Sequence, residues 1–406
     1  FFVSNYVGKI PFAAVNLVMP FIMILGGVGF MIGTGGSALI AKTLGEGDEE
    51  KANRYFTMLI KLTAVFGVLL SLIGIVFIRP ISYLLGATEA MIGDCVVYGR
   101  IVLLFNTAFM LQNVFQTFLA AAEKPNLGLA VTAAAGIANM VLDALFIAGF
   151  RWGVAGAAIA TGIGQCIGGI LPLLYFMRPN SSRLRMVKAK FDVRAMLRAC
   201  ANGSSELMSN ISSSLISVIY NLQLLRFAGE NGVAAYGTIM YVQFIFIAMF
   251  IGYTIGTAPV IGYHYGAGNH MELRNLLKKS FTVVSIAGVL MTAAAWGLAG
   301  PLSGVFVGYD MELYELTKHA FRMFAFSFLL AGVNIFASSF FTALNNGGVS
   351  AAISFLRTLV FQVASVLVLP VFLGLDGIWY SITVAEVLAF FVSLLFLIAN
   401  RRKYHY

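Results

Sequence analysis

Residues 33–48 read GTGGSALIAKTLGEGD, and residues 256–269 read GTAPVIGYHYGAGN. Both stretches are apolar, rich in glycine, and close on Gly-x-Gly followed by Asp48 or Asn269. A loop that binds a dinucleotide would need a strand before the glycines and a βαβ unit around them, and the flanking sequence has neither pattern. We therefore interpret each stretch as a helix that ends at its glycines, with Asp48 and Asn269 capping the helix that follows.

The composition of the 406 residues indicates a polytopic membrane protein. Hydrophobic residues make up 60% of the chain and charged residues 11%, whereas a soluble domain carries about 25% charged residues. Long apolar runs recur along the whole chain, which is typical of transmembrane helices. We place helices at roughly 12–43, 52–83, 90–121, 125–150, 154–178, 193–228, 232–264, 272–300, 311–343, 347–372 and 377–400. With a remnant at 1–7, whose first part we expect upstream of Phe1, the prediction is an all-α fold of about twelve transmembrane helices.

The second half of the chain repeats the first at an offset of 221 residues. Helix ends and glycines stay in register, and the aligned pairs include Gly35 and Gly256, Gly45 and Gly266, Gly47 and Gly268, Pro80 and Pro301, and Gly153 and Gly374. Each half has six predicted spans, and an even number inserts both halves in the same orientation, which is a parallel repeat. Transporters built in this way hold their site between the halves and expose it alternately to each side.

The basic residues predict the topology. We expect an N-lobe at 1–178, a basic linker at 179–192, a C-lobe at 193–400 and a tail at 401–406. Residues 178–194 hold six basic residues and a single acid, Asp192. The positive-inside rule places this stretch in the cytoplasm, and twelve spans place the C-terminus there too. Topology and contact with membrane lipids thus explain the net charge of +9, and we expect no nucleic acid partner.

Two polar residues lie on one face of the predicted fifth helix. Asn139 and Asp143 are one helical turn apart. An ionisable residue at membrane depth costs about 2.5–3.5 kcal/mol on insertion scales and is a functional candidate by default. A carboxyl group beside an amide, away from bulk water, can exchange a proton near neutral pH. The alternative is a structural carboxyl group bonded to a neighbouring helix.

A polar stripe follows the linker. Its members are spaced 4, 3, 4 and 4 residues apart and are Glu206, Asn210, Ser213, Ser217 and Asn221. Lipid does not tolerate such a stripe, so it faces water or protein. Other polar side chains in predicted helices of the second half are Gln243, Asn334, Ser338, Arg357, Gln362 and Glu386. As a set they indicate a hydrated cavity, although each amide or hydroxyl could equally form a hydrogen bond between helices.

The chain resembles prokaryotic multidrug and toxic compound extrusion (MATE) transporters over essentially its full length. The segments that carry the resemblance are GTGGSALIAKTLGEGD, its echo TAPVIGYHYGAGN, the run NMVLDALFIAGFRWGVAGAAIAT at 139–161, and LDGIWYSITVAE at 375–386. The resemblance implies two six-helix lobes arranged in a V, with export driven by a proton or sodium gradient.

The resemblance also implies a cation-coupling cluster in the N-lobe. Asn139 and Asp143 match the family's Asn-x-x-x-Asp, Thr161 matches its helix-6 threonine, and Tyr98 matches its helix-4 tyrosine, while its helix-1 aspartate would lie upstream of Phe1. Glu206 matches a helix-7 glutamate that some members pair with a helix-10 aspartate. The corresponding stretch here, FLLAGVNIFASS, has no acid, which disfavours sodium coupling through the second lobe.

The sequence therefore predicts a secondary antiporter of the bacterial plasma membrane that exports amphipathic, often cationic, compounds in exchange for H⁺ or Na⁺. Besides the N-lobe cluster, we expect a role in C-lobe coupling or in the cavity for Glu206, Asn210, Ser213 and Gln243. We expect a monomer with no cofactor, no catalytic residues and no metal site beyond transient Na⁺ near Asp143.

Three other functions were weighed against antiport. A flippase for lipid-linked precursors, of the related exporter superfamily, would hold pyrophosphate with basic residues such as Arg100 and Arg357. An enzyme would need clustered catalytic acids, histidines or a metal motif at membrane depth, and the sequence has none of these. A passive channel conflicts with Asp143, because a buried ionisable group is typical of gradient-coupled transport.

Overall fold

The computed structural model describes residues 3–406, except for the side chains of residues 4, 5 and 9. In this part of the chain it contains no strand, so the all-α prediction is confirmed. The helices are α1 (Lys9–Gly45), α2 (Glu49–Leu84), α3 (Ile92–Leu104), α4 (Asn106–Ala121), α5 (Pro125–Asp143), α6 (Gly153–Met177), α7 (Val193–Gly266), α8 (His270–Gly297), α9 (Ala299–Val307), α10 (Met311–Ala325), α11 (Phe328–Ala343), α12 (Gly347–Phe355), α13 (Phe361–Leu373) and α14 (Leu375–Tyr404). Three π-helical turns accompany them at Val3–Val7, Ala144–Gly149 and Leu356–Val360.

The helices are long and apolar enough for a polytopic membrane protein. Within the described residues, eight helices qualify as membrane spans, or ten if two bent pairs each count as one span. The helix α7 is 74 residues long and is broken at Gly229, which leaves two stretches that each exceed the about 20 residues needed to cross a membrane. The predicted remnant at 1–7 is represented by the π-helical turn Val3–Val7, and its residues 1 and 2 lie outside the described residues.

The chain divides into two compact units. The N-terminal unit is Phe1–Gly203 and the C-terminal unit is Ser204–Tyr406, so the division falls inside α7. The predicted lobe limits at 178 and 193 stay a prediction. The N-terminal unit has an apolar core around Val18, Ile22 and Val102, whereas the C-terminal unit is centred on buried aromatic side chains such as Phe328 and Trp379.

The positive-φ glycines recur at the sequence offset of 221 residues. The matched pairs are Gly8 (φ 124) and Gly229 (φ 60), Gly47 (φ 85) and Gly268 (φ 67), and Gly153 (φ 61) and Gly374 (φ 59). Such backbone conformations are open to glycine at little steric cost. The two units therefore end and restart their helices at equivalent positions, as the sequence repeat predicts.

Bends recur at the same offset. Helices α3 and α4 meet at 54° across Phe105, and α10 and α11 meet at 47° near Phe326. The sequence analysis placed one continuous helix in each case, because neither break carries proline or glycine. Each unit also holds a π-helical turn in its fifth span, at Ala144–Gly149 and at Leu356–Val360. Such turns occur frequently at functional sites.

The helix caps expected from the opening stretches are present. The Asp48 Oδ1 accepts from the Lys51 backbone N–H at 3.0 Å, and the Asn269 Oδ1 accepts from the Glu272 backbone N–H at 3.1 Å. Each bond satisfies one of the backbone donors left unpaired at a helix start. The glycine-rich stretches thus terminate helices.

The basic linker is bound along α2. The Asn53 Oδ1 accepts from the Arg185 backbone N–H at 2.7 Å, and the Thr57 Oγ1 accepts from the Val187 backbone N–H at 3.0 Å. Leu184 is fully buried between these contacts. An extended segment without regular structure is therefore held to its own unit by polar side chains of one helix face.

Candidate functional site

Close packing of α5 against α6 brings the predicted coupling residues together. A Cβ atom at Gly164 would lie 3.0 Å from the Ala135 carbonyl oxygen and 3.2 Å from Asn139 Cβ. Because glycine has no Cβ, α6 can approach α5 closely there. One turn earlier on α6, Thr161 reaches Asn139, whose Nδ2 donates a long hydrogen bond of 3.5 Å to the Thr161 Oγ1.

Asp143 is the last residue of α5 and directly precedes the π-helical turn Ala144–Gly149. Its Oδ1 is buried and has no hydrogen-bond partner among the residues that the structure describes. Buried polar atoms in proteins are nearly always paired, so an orphaned carboxyl oxygen at membrane depth needs an explanation. An incoming proton or cation would supply the missing partner.

Tyr98 of α3 completes the predicted cluster. It is buried and lies within electrostatic range of Asp143, while its hydroxyl group donates to the Met19 Sδ at 3.7 Å. The structure therefore places Asn139 beside Thr161 and Tyr98 near Asp143, all within the N-terminal unit.

Aromatic side chains surround the end of the π-helical turn. The rings of Phe146 and Trp152 stack with centroids 4.9 Å apart, and the ring of Phe150 lies 5.3 Å from that of Trp152. Both Phe150 and Trp152 are about half exposed, as expected for aromatic residues at a membrane interface. Asp143 thus lies a few residues from an interfacial aromatic group.

The polar stripe of the C-terminal unit bonds mainly to its own helix. The Asn210 Nδ2 donates to the Glu206 backbone carbonyl at 2.8 Å, and the Ser213 Oγ donates to the Ser209 carbonyl at 2.8 Å. These bonds leave the Glu206 carboxylate without an amide partner from Asn210. Gln243 is half-buried on the second stretch of α7, and no contact among the described residues joins it to Glu206.

A second polar centre, which the sequence analysis did not assemble, lies between the last spans of the C-terminal unit. The Arg357 guanidinium binds the Glu386 carboxylate with Nη2–Oε1 at 2.7 Å, Nε–Oε1 at 2.9 Å and Nε–Oε2 at 3.0 Å. The side chains are 15% and 3% exposed. Arg357 lies on the π-helical turn Leu356–Val360, and Glu386 lies on α14.

Asn334 of α11 joins this ion pair. Its Nδ2 donates to the Glu386 Oε2 at 2.7 Å and to the Glu386 backbone carbonyl at 2.9 Å, while its Oδ1 accepts from the Ser393 Oγ at 3.1 Å. Both carboxylate oxygens therefore have short donors. The same guanidinium acts electrostatically on Glu206 of α7, so one cation serves two acids.

The repeat offset contains the signal that would have revealed this centre. Asn334 aligns with Asn113, which is also buried and donates to the Gly26 carbonyl at 3.0 Å. Glu386 aligns with Gln165, and Arg357 aligns with Gly136. Opposite charges at membrane depth, both absent from the equivalent positions of the first half, point to a pair.

The described side chains do not form a metal cage. No group of three or more His, Cys, Asp or Glu side chains among them could hold a metal ion. The ionisable groups of the two centres are instead an isolated carboxyl group at Asp143 and a compensated pair at Arg357 and Glu386.

The MatE family model matches residues 1–145 and 207–367 of the chain, which is one segment in each unit. The chain belongs to the MatE family. This confirms the family predicted from the sequence, whose members are transporters rather than enzymes.

Relatives of this MatE protein cover nearly its whole length. The multidrug export protein MepA of Staphylococcus haemolyticus is 25% identical over 397 residues, which cover 96% of this chain and 86% of the relative. MepA of Staphylococcus aureus is 23% identical over 385 residues, covering 94% of this chain and 84% of the relative.

Solved structures share the fold of this MatE protein. An outward-facing multidrug resistance MATE family transporter superposes with a TM-score of 0.94 at 22% identity, over 100% of this chain and 90% of the other. A mutant of the Vibrio cholerae MATE transporter VcmN gives 0.90 at 22% identity, over 100% and 92%. These similarities establish the shared architecture of a multi-pass helical membrane protein.

Proposed function

We propose that this protein exports amphipathic, often cationic, organic compounds in exchange for H⁺ or Na⁺ by alternating access. The observation that carries the proposal is the buried Asp143 oxygen, which lacks a hydrogen-bond partner among the described residues. The relatives named multidrug export proteins support organic compounds as the cargo. The membrane potential favours entry of one positive charge by about 2.3 kcal/mol per 100 mV.

The coupling step follows from the hydrogen bonds around Asp143. Asn139 directs its Nδ2 to Thr161 rather than to the carboxyl group one turn later. The free Oδ1 of Asp143 can therefore take a proton, or contact a desolvated Na⁺, without breaking an existing bond. Neutralising the charge removes the cost of an ion at membrane depth and changes how the surrounding helix faces hold a cationic compound.

The C-terminal unit contributes a second acid to the proposal. Glu206, with Asn210, Ser213 and Gln243 on α7, is our candidate for coupling or for contact with the exported cation. The Asn210 amide is bonded to the backbone, so the Glu206 carboxylate keeps its capacity to accept a donor or a cation.

The flippase alternative is disfavoured by the state of Arg357. Recognition of a pyrophosphate needs a guanidinium or ammonium group free to bind it. The Nε and Nη2 of Arg357 are already bonded to Glu386. A buried ion pair of this geometry would have to break before Arg357 could hold a phosphate.

We further propose a monomer in the bacterial plasma membrane, with the linker and the C-terminus in the cytoplasm. The basic residues of the linker support this orientation through the positive-inside rule. They also suit contact with anionic lipids on that face.

Substitution of Asp143 tests the coupling role. Asp143→Asn should abolish gradient-driven efflux of a fluorescent organic cation from vesicles under either a proton or a sodium gradient, while the purified protein stays folded. The matched control is Asp376→Asn, because Asp376 is half exposed at the start of α14 and is bonded to His319. Undiminished efflux by the Asp143→Asn protein would remove Asp143 from the mechanism.

A further inference from the structure

The Arg357, Glu386 and Glu206 side chains form a charge triad in the C-terminal unit. Glu386 is saturated, because its two oxygens accept from the Arg357 Nε and Nη2 and from the Asn334 Nδ2 at 2.7 to 3.0 Å. Glu206 carries no such set of donors and interacts with the same guanidinium electrostatically. With both acids ionised, one guanidinium leaves the triad with one net negative charge, and Glu386 holds that guanidinium.

The repeat indicates that this charge is not required for helix packing. The N-terminal unit keeps the amide at Asn113, which bonds the Gly26 carbonyl. It has Gln165 and Gly136 at the positions of Glu386 and Arg357. An equivalent bundle thus packs with neither charge, although a buried ion pair costs desolvation and is often replaceable without loss of stability.

We propose that Glu386 and Asn334 hold Arg357 as a tethered counter-ion, so that the neighbouring Glu206 keeps its negative charge for one monovalent organic cation. This inference rests on the proposed role of Glu206 in the export of organic cations. Glu386 and Asn334 are positioning residues: they act on the cation only through Arg357. A single net negative charge suits a monocation, whereas a dication would be left with an excess charge in a site of low dielectric.

Substitutions can step the charge of the triad through three values. Glu386→Gln frees Arg357 to neutralise Glu206, which gives a net charge of zero. The double variant R357Q/E386Q leaves Glu206 alone and restores one negative charge. Arg357→Gln leaves both acids and two negative charges.

The probes are tetraphenylphosphonium as the monocation and a bis-quaternary ammonium compound as the dication, measured by equilibrium binding to purified protein in nanodiscs. Glu386→Gln should lower tetraphenylphosphonium affinity by at least tenfold, and R357Q/E386Q should recover most of that loss. Arg357→Gln should shift the dication-to-monocation affinity ratio upward by about tenfold, which is the effect of about 1.4 kcal/mol.

A double-mutant cycle separates this mechanism from a structural role. Once Glu206→Gln has removed the acceptor, adding Glu386→Gln should change affinity no further, whereas a purely structural effect would persist in that background. Should Glu386→Gln fail to fold, Asn334→Ala loosens the same carboxylate more gently, and its loss of affinity should again be reversed by Arg357→Gln.

The outcomes distinguish the inference from the proposed function. If the native protein neither binds nor exports an organic cation under any gradient, both fall. If it does, but Glu386→Gln binds tetraphenylphosphonium as tightly as the native protein, or weakens binding equally with and without Glu206, the tethered counter-ion alone is overturned.

Discussion

Arg357 binds Glu386 through two nitrogens, with the shortest contact 2.7 Å between Nη2 and Oε1, although the residues lie 29 positions apart. Only 3% of the Glu386 side chain is exposed. The guanidinium and the Asn334 amide therefore replace the water that this carboxylate has lost. Removing one partner would leave an uncompensated charge inside the C-terminal unit.

Arg357→Gln should destabilise the C-terminal unit by about 3–5 kcal/mol, the cost of breaking a buried ion pair, and R357Q/E386Q should recover most of this loss. The measurement is denaturant unfolding in detergent. The matched control is Arg54→Gln, because the Arg54–Glu50 pair is exposed and 4.0 Å long and should contribute less than about 1 kcal/mol. Equal destabilisation by the single and double variants would contradict a role for unpaired charge.

The helix ends could be predicted from the sequence because their chemistry is local. Asp48 and Asn269 cap the helices they precede, and the glycines before them adopt positive φ. The bends at Phe105 and Phe326 could not be predicted. No residue type there breaks a helix, so the bends depend on packing between helices that are distant in sequence.

The two candidate centres differ in the same way. Asn139 and Asp143 are one turn apart on one helix, so their spacing identified them. Arg357 and Glu386 come from different helices, and no spacing rule joins residues that meet only after the bundle has folded. Comparing the two halves position by position would have exposed them, because Gln165 stands where Glu386 does.

Helix α1 touches the start of α7 through two glycines. A Cβ at Gly35 would overlap the Ala199 carbonyl oxygen, and a Cβ at Gly203 would overlap the Met31 carbonyl oxygen. Gly35→Ala should therefore push the helices apart and lower the thermal unfolding midpoint of the purified protein. The control is Gly256→Ala at the equivalent repeat position, where an added Cβ meets no described atom within 4 Å; it should gain up to about 1 kcal/mol from helix propensity. Similar midpoints for both variants would refute the close contact.

Gly229 and Gly374 adopt φ 60 with ψ −150, and φ 59 with ψ −137. This region is nearly restricted to glycine, and other residues there cost about 1–3 kcal/mol. Gly229→Ala and Gly374→Ala should each destabilise the protein by that amount in denaturant unfolding. Gly237→Ala, in a helical part of α7 with open space around it, serves as the control. No loss in the first two variants would mean that the helix break moves to another residue.

The bond from Asn139 to Thr161 keeps the amide away from Asp143. Thr161→Val preserves the shape of the side chain and removes the acceptor, so Asn139 becomes free to donate to the Asp143 carboxylate and to stabilise its charged form. The initial rate of proton-driven efflux in vesicles should fall severalfold. Thr161→Ser should keep most of the rate, and Thr132→Val, at an exposed position of α5, should keep all of it. Equal rates for the valine and serine variants at 161 would exclude this bond from coupling.

The contacts that hold the linker on α2 predict its resistance to proteolysis. Asn53→Ala and Thr57→Val remove the acceptors of the Arg185 and Val187 backbone N–H groups. Each hydrogen bond contributes a net of about 0.5–1.5 kcal/mol, so each substitution should raise the population of the open linker roughly two- to tenfold. The exposed basic residues of the linker are trypsin sites, and include Arg185, Lys188 and Lys190.

Limited trypsin digestion of the purified protein measures this opening, because cleavage tracks the open population when opening and closing are fast. Cleavage in the linker should accelerate by the same factor in each single variant and by about the product of the two factors in N53A/T57V. Thr282→Val is the matched control: its hydroxyl group bonds the Lys278 carbonyl within α8, so the same kind of bond is lost without touching the linker. Cleavage in the linker at the native rate in all variants would show that burial of Leu184, rather than these backbone hydrogen bonds, holds the segment to α2.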